Sequence, residues 1–465
     1  MRQLLVGDVL WASAGRTPAR IAATLDDRQV TFAELAATTA ALCRTLASRS
    51  VGHRARVVWK GETTLDAIAL AFAVASLGAV FVPVNPRLSA EEAGPVLDVA
   101  DPDLVVDDDG LARLLAASVA IGVDRPEVQE TDAHVIFFTS GSTGRPKGVE
   151  LSHRATMLRS LLDATPVPAG PALCMFPQFH MAGWQGPTTA WLCSDETVYV
   201  PRADAEPLLS AIDRRRVVRL YAIPAVWRRI LEADRSPFDL TCLRQADTGT
   251  SATTPELLHA IHDAFPAATT SIYYGSTEAG SVCRLPPPDL HRKPGSVGPA
   301  ALGVEVRLDD DGELLARSPW MMNGYFRDPE ATAAAVGDGW YHTGDLAERD
   351  DDGYYSIVGR AKDIIRTGGE TVAPAEVDTV LQSHPAVADA AVAGVPDADW
   401  GEVVTAFVVL RPGATVDLAA LRAFCEGRLA TFKHPRRLVV IDEIPRTGAT
   451  RQVQRRLLVA AVGSG

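Results

Sequence analysis

The sequence predicts an α/β protein with more than one domain, and three observations carry this. Residues 56–84 alternate strand-like and helix-like apolar patterns in the order strand, helix, strand, the unit of a parallel doubly wound sheet. A chain of 465 residues exceeds the size at which one hydrophobic core keeps growing, so two or three domains are expected. Its 47% hydrophobic and 22% charged residues are those of an ordinary soluble globular protein.

The first elements follow from local chemistry. Thr31 and Glu34 are spaced as a capping box and open an Ala-rich helix that runs through Ala47. Arg56 to Trp59 reads as a strand, Leu65 to Leu77 as a helix, and Ala79 to Val84 as the next strand. The apolar stretch Leu65 to Val84 has the length of a membrane span, but Asp66, Gly78 and Pro83 favour helix, turn and buried strand. A Pro- and Asp-rich loop is expected over 101–109, where the acidic run 107–109 reads as a solvated turn without metal-ligand spacing.

Composition narrows the partners. A formal net charge of −13 argues against general affinity for nucleic acid or anionic membrane surfaces, so an anionic ligand must be met by a local positive site. The N-terminus shows no apolar leader segment, and the six scattered cysteines form no C-x-x-C pair; both suit a reduced, cytoplasmic protein.

The most informative stretch is Thr139, Ser140, Gly141, Ser142, Thr143, Gly144, Arg145, Pro146, Lys147, Gly148, directly after the strand-like run 135–138. Three glycines, four hydroxyls and a lysine let backbone N–H groups, hydroxyls and an ammonium converge on phosphate oxygens. A flexible surface loop is the alternative from composition alone. The mononucleotide P-loop pattern does not fit, since Pro146 and Gly148 fall where its second glycine and Ser/Thr belong.

This stretch resembles, at every position, the nucleotide loop of the adenylate-forming superfamily, which includes acyl-CoA synthetases, aryl-CoA ligases, carrier-protein-loading domains and firefly-type luciferases. The resemblance extends over essentially the full chain. It implies a large N-terminal domain of stacked mixed and parallel sheets with helices, residues 1–361, and a small mobile α+β C-terminal domain, residues 362–465, with a hinge at Lys362. It also implies AMP or ATP, coenzyme A and Mg²⁺ as cofactors.

Further motifs carry the implied roles. The segment 176–184 resembles the superfamily's aromatic-His stretch and places His180 in the wall of the acyl pocket. Gly249, Thr250 and Ser251 stand where relatives carry a Gly-Gly-Ala-Pro turn beside adenine; Gly249 matches, whereas Thr250 and Ala252 depart, which bears on substrate choice. Tyr273, Tyr274, Gly275, Ser276, Thr277 and Glu278 match Y-G-x-T-E: aromatic faces for adenine, Thr277 for the α-phosphate, Glu278 as an oxygen ligand to Mg²⁺. Asp345 of Thr-Gly-Asp is suited to both ribose hydroxyls, with Arg360 also facing the ribose. The Gly368-Gly369 turn would line the pantetheine tunnel.

One position breaks the pattern. Relatives end in P-R-T-x-[TS]-G-K, whose lysine bridges carboxylate and α-phosphate during adenylation; here the position falls on Arg451 or Gln452, and no lysine follows Lys433. Such a bridging ammonium at about 4 Å is worth roughly 4 kcal/mol at an effective dielectric of about 20, or about a thousandfold in rate. Thioester formation uses an acyl group already activated by AMP, so the loss should fall on the first half-reaction. In this the chain resembles the non-adenylating acyl-CoA ligases of platensimycin/platencin-type diterpenoid biosynthesis. The expected function is conversion of an acyl-adenylate plus CoA into acyl-CoA and AMP. The acyl-adenylate of a carboxylic acid, a bulky diterpenoid on that resemblance, would come from a companion adenylating ligase. The alternatives are a complete ATP-dependent synthetase, a non-catalytic adenylate-binding protein and a carrier-loading domain.

Overall fold

The computed structural model describes residues 3–117, 127–140, 146–164, 168–251, 253–446 and 453–463. It has the expected mixed α/β architecture, in two compact units: Met1–Glu305 with Ala316–Tyr341, and Val306–Leu315 with His342–Gly465. These units change over at His342. The reason is that strand Tyr355–Arg360 pairs with Trp340–Arg349, and Tyr355 Oη donates to Val306 O at 3.2 Å, so this hairpin stays with the later residues.

The larger unit contains a six-stranded sheet and an eight-stranded sheet. In the first, the order is Gly324–Tyr325, Pro146–Ser152, Ala133–Ser140, Val80–Pro83, Arg56–Trp59, Leu104–Val106. The predicted βαβ unit is present: Arg56–Trp59 pairs in parallel with Val80–Pro83, and the helix between them, Leu65–Ser76, is buried along its whole length. Thr64 caps that helix, its Oγ1 accepting from Ala67 N at 3.0 Å. The Thr31–Glu34 capping box forms as expected at helix Phe32–Ser48, with Thr31 N donating to Glu34 Oε2 at 2.8 Å.

The loop expected over 101–109 is a correction. Leu104–Val106 is an edge strand parallel to Arg56–Trp59, and Asp107 caps helix Asp108–Ala116 by accepting from Gly110 N at 2.7 Å. A three-residue strand is too short to show a period, and the acidic run is a helix N-terminus, where carboxylates meet the positive end of the macrodipole. The six cysteines are unpaired, and five of them are buried. Among the described residues no helix is long and apolar enough to cross a membrane.

At the foot of the strand that leads into the phosphate-loop segment, two fully buried histidines stack, His134 and His153, with ring centroids 5.1 Å apart. His153 Nδ1 accepts from Val6 N at 3.2 Å, which assigns its proton to Nε2, and that atom has no partner among the described residues. Burial pushes the His153 pKa down to about 4 and that of His134 well below the ordinary value. The folded form therefore refuses protons that the unfolded chain accepts below about pH 6.5, so this contribution to stability is lost as pH falls from there toward 4. Buried Asp247 and Asp378 and half-buried Asp163, all raised to about 6, act in the opposite sense over the same range. His153→Asn, which keeps an acceptor for Val6 N, isolates the histidine. From pH 7 to pH 5 the parent should lose about 2 kcal/mol of unfolding free energy relative to this variant, read from urea midpoints.

The smaller unit has a sheet ordered Glu370–Val372, Ile365–Thr367, Gly401–Leu410, Val387–Asp397, with Arg437–Val440 also on Gly401–Leu410. Helices Pro374–Gln382 and Leu418–Cys425 cover its core. Arg455 donates to Val392 O at 2.9 Å and pairs with Asp378, tying the last helix, Arg455–Gly463, to this sheet.

Candidate active site

The strands of the larger unit bring most of the predicted nucleotide-site residues onto neighbouring segments. Thr139 and Ser140 end strand Ala133–Ser140, which turns back antiparallel as Pro146–Ser152, so that Thr139 pairs with Lys147. Gly141, Ser142, Thr143 and Gly144 lie outside the described residues. Lys147 Nζ stands 4.7 Å from the centre of the Tyr325 ring, and Tyr325 Oη donates to Glu278 Oε1 at 3.0 Å. Lysine, tyrosine and glutamate thus form one chain. A cation bound by Glu278 would use the carboxylate left by this bond, as Mg²⁺ does when one or two carboxylates share it with phosphates.

Strands Gln245–Gly249 and Ile272–Ser276 run parallel, pairing Thr248 with Ile272 and Gly249 with Tyr273. Here the residue type is forced: a Cβ on Gly249 would lie 2.2 Å from Tyr273 O. Next to it Thr250 adopts φ +73°, a left-handed conformation that costs a non-glycine residue about 1–2 kcal/mol. Its Oγ1 lies 2.9 Å from Tyr221 Oη. Ser251 is exposed beside it. Tyr273 and Tyr274 are half-buried and Gly275 is exposed, an arrangement that leaves aromatic surface for a base.

Behind the Thr277–Glu278 turn lies a residue that the sequence reading missed. Arg159 is 3% exposed and donates to Thr277 O at 3.1 Å, Glu278 O at 3.2 Å and Trp320 O at 2.7 Å. Burial lowers its pKa to about 10, so it stays charged at neutral pH. A signal was present in the helix period: Thr156, Arg159 and Asp163 recur on one face of helix His153–Ala164, and that face turns inward.

The aromatic-His segment gathers aromatic rings. Phe176 lies 6.5 Å from His180 and 5.7 Å from Tyr221, and Tyr221 lies 6.0 Å from Tyr273, ring centre to ring centre. His180 is half-buried, and burial lowers its pKa to about 4, which leaves it neutral at pH 7 and fits a wall rather than a cationic anchor.

The smaller unit carries the other predicted residues. Asp345, 6% exposed, pairs with Arg360, Oδ1 to Nε at 2.5 Å, across the Trp340–Arg349 and Tyr355–Arg360 ladder. The turn before Asp345 is braced by Glu313, whose carboxylate accepts from Gly344 N at 2.7 Å and meets His342 Nδ1 at 3.0 Å. With Asp309, these groups approach within 4.8 Å of one another and could hold a metal ion. Gly368 and Gly369, at φ +60° and +85°, are the two-residue loop of a hairpin between Ile365–Thr367 and Glu370–Val372. Positive φ at both central residues is the demand of a type I′ turn, which Gly-Gly meets without strain. A Cβ on Gly368 would come 2.5 Å from the Trp400 ring. Lys362 lies in the short 3₁₀ turn Ala361–Asp363. Arg451 and Gln452 lie outside the described residues.

Comparison with known proteins bears on the family and the fold. The AMP-binding enzyme family matches residues 10–326, and the AMP-binding enzyme C-terminal domain matches residues 376–451. An indoleacetate–CoA ligase of Aromatoleum aromaticum is 33% identical, over 96% of each chain. A Mycobacterium tuberculosis CoA ligase for a 7a-methyl-1,5-dioxo-octahydro-indenyl propanoyl group is 34% identical, over 93% of this chain and 94% of that one. Among solved structures, o-succinylbenzoate CoA synthetase from Bacillus subtilis with its acyl-adenylate intermediate superposes with a TM-score of 0.88, at 28% identity and 97% coverage of both chains. The same synthetase has also been solved with ATP and a magnesium ion.

Proposed function

We propose, starting from the fact that this chain belongs to the AMP-binding enzyme family, that it is an acyl-CoA ligase specialised for the second half-reaction. Acid–thiol ligase is the coarse activity: full-length relatives are CoA ligases, and the fold is theirs. In the finer reading, acyl-adenylate and CoA give acyl-CoA and AMP, and adenylation is weak or lost.

The observation that carries this is the absence of any lysine after Lys433. Lys433 itself is ion-paired to Glu376. Without a C-terminal ammonium, a carboxylate approaching a triphosphate meets uncompensated like charge, whereas thiol attack on a mixed anhydride does not require that group. In this reading Lys147 and the hydroxyls of 139–143 hold the AMP phosphate, Tyr274 and Gly249 frame adenine, Asp345 and Arg360 hold the ribose, and the Gly368-Gly369 turn guides the pantetheine as the C-terminal part moves about Lys362. A companion ligase would supply the adenylate. A bulky ring-bearing acid, diterpenoid in the narrowest form, suits a family whose members include ligases for indoleacetate and a methylated indenyl propanoate.

One observation favours the complete two-step synthetase as a second reading: Lys147 and Glu278, the groups an ATP–Mg²⁺ complex would use, are both present and linked through Tyr325. Two assays separate them. Purified protein with ATP, Mg²⁺ and a panel of ring-bearing acids should release little pyrophosphate, whereas synthetic acyl-adenylates with CoA should yield thioesters detectable by mass. Robust pyrophosphate release sinks the half-reaction reading, and adenylate binding without thioester would make the protein a binder.

A further inference from the structure

Behind the aromatic wall lies a set of polar groups that nucleotide handling leaves unused. Asp163, on the inward face of helix His153–Ala164, accepts a hydrogen bond from Gln185 Nε2 and makes no other among the described residues. Asp247, by contrast, has a donor on each oxygen: Gln245 Nε2 donates to one at 2.5 Å and Ser271 N to the other at 2.7 Å. Arg284 stacks 5.0 Å from the centre of the Tyr273 ring and donates to Ser271 Oγ at 3.1 Å. Tyr221 and Tyr273 feel both carboxylates: burial first, then these charges, push the Tyr221 phenol up to about 12 and Tyr273 higher still. Gln185 directly follows the 176–184 segment, so its bond puts Asp163 beside that segment, in which Phe176 lies 6.5 Å from His180 and 5.7 Å from Tyr221.

An ionised carboxylate accepts about four hydrogen bonds, and Asp163 is given one. It keeps part of its surface open, which an all-apolar acyl chain would cover without replacing the lost solvation. On the acyl-CoA ligase reading above, which puts the acyl group against the 176–184 wall, we propose that Asp163 is a specificity-determining residue. The site takes an acyl group that carries a hydrogen-bond donor, hydroxyl or ammonium, remote from its carboxyl. Gln185 is the positioning residue: it holds one carboxylate oxygen and leaves the other without a donor among the described residues. A pocket built to receive a donor rejects the analogue that lacks it far more strongly than an apolar pocket rejects an extra group, because the buried acceptor is left unpaired.

The test uses the full chain and three unreactive acyl-adenylate mimics, the sulfamoyl adenosines of 3-phenylpropanoate, 3-(4-hydroxyphenyl)propanoate and 3-(4-aminomethylphenyl)propanoate. Calorimetry should show one donor-bearing mimic bound at least about tenfold more tightly than the phenyl mimic, and which one identifies the donor as hydroxyl or ammonium. Asp163→Leu should abolish that preference while leaving the phenyl mimic bound. Asp163→Asn, nearly isosteric and still an acceptor, should keep a hydroxyl preference but lose an ammonium preference. Binding of all three mimics by the parent within about twofold, or an unchanged preference in Asp163→Leu, overturns the proposal. If Asp163→Leu does not fold, the parent ratios and Asp163→Asn decide it. Thioester formation from the three corresponding adenylates is scored separately: if none reacts with CoA, the ligase reading fails while the binding ratios still decide the role of Asp163. If all three react and bind alike, the ligase reading stands and the role of Asp163 falls.

Discussion

Gln452→Lys, alone or with Arg451→Gly, raises ATP-dependent pyrophosphate release by about a hundred- to a thousandfold. The range follows from one ammonium placed about 4 Å from developing negative charge, worth roughly 4 kcal/mol at an effective dielectric of about 20. Arginine at 451 is a poor substitute, because its planar guanidinium is bulkier and less strongly solvating toward a single oxygen than an ammonium on a flexible stem. The same substitution should leave thioester formation from a supplied acyl-adenylate within about threefold of the parent, since that step is not one in which a carboxylate must approach a phosphate. Parallel measurement of pyrophosphate and thioester is the check. If neither substitution increases pyrophosphate release, the charge argument is wrong and adenylation is limited elsewhere.

Arg159→Met destabilises the larger unit by about 3–5 kcal/mol and weakens adenylate binding with it. The guanidinium serves the Thr277 and Trp320 carbonyls, which no other described donor reaches, and shares Glu278 O with Met322 N; its surroundings, Phe137, Thr156, Met181, Trp184 and Gln185, leave no room for a water molecule. Removing one partner of such a buried network leaves the others unsatisfied, which is the expensive case. Two of those carbonyls belong to Thr277 and Glu278, so the turn that presents them should loosen. Arg159→Lys, which keeps the charge but offers fewer directed donors, should recover only part of the loss. Urea unfolding of the parent and both variants, followed by binding of an acyl-sulfamoyl adenosine, tests this. A loss below about 1 kcal/mol in Arg159→Met would show that the carbonyls find other donors.

Much of the site was legible because its signals are local. A capping box needs two side chains three residues apart, and Thr31 with Glu34 forms one. Gly368-Gly369 was legible as a turn, and the structure makes it the two-residue loop of a hairpin with positive φ at both glycines. The βαβ unit over 56–84 showed itself through periodicity, whereas the edge strand Leu104–Val106 was hidden by its brevity. The nucleotide motifs were read as short strings that resemble those of the adenylate-forming superfamily.

Arg159 and Asp163 escaped because charged side chains on a helix are normally read as solvent-facing, and local sequence does not say which face a sheet will cover. Arg159 meets Thr277 O across 118 residues of chain, and Tyr221 meets Thr250 across 29. The sequence by itself determined the fold class, the family motifs and the missing C-terminal lysine, since each depends on residue identity within a few positions. Only the tertiary structure decided that Asp163 meets Gln185 and that a buried guanidinium holds the Thr277–Glu278 turn. Those properties depend on which polar groups share a desolvated space, and that is set by the packing of segments distant in the chain.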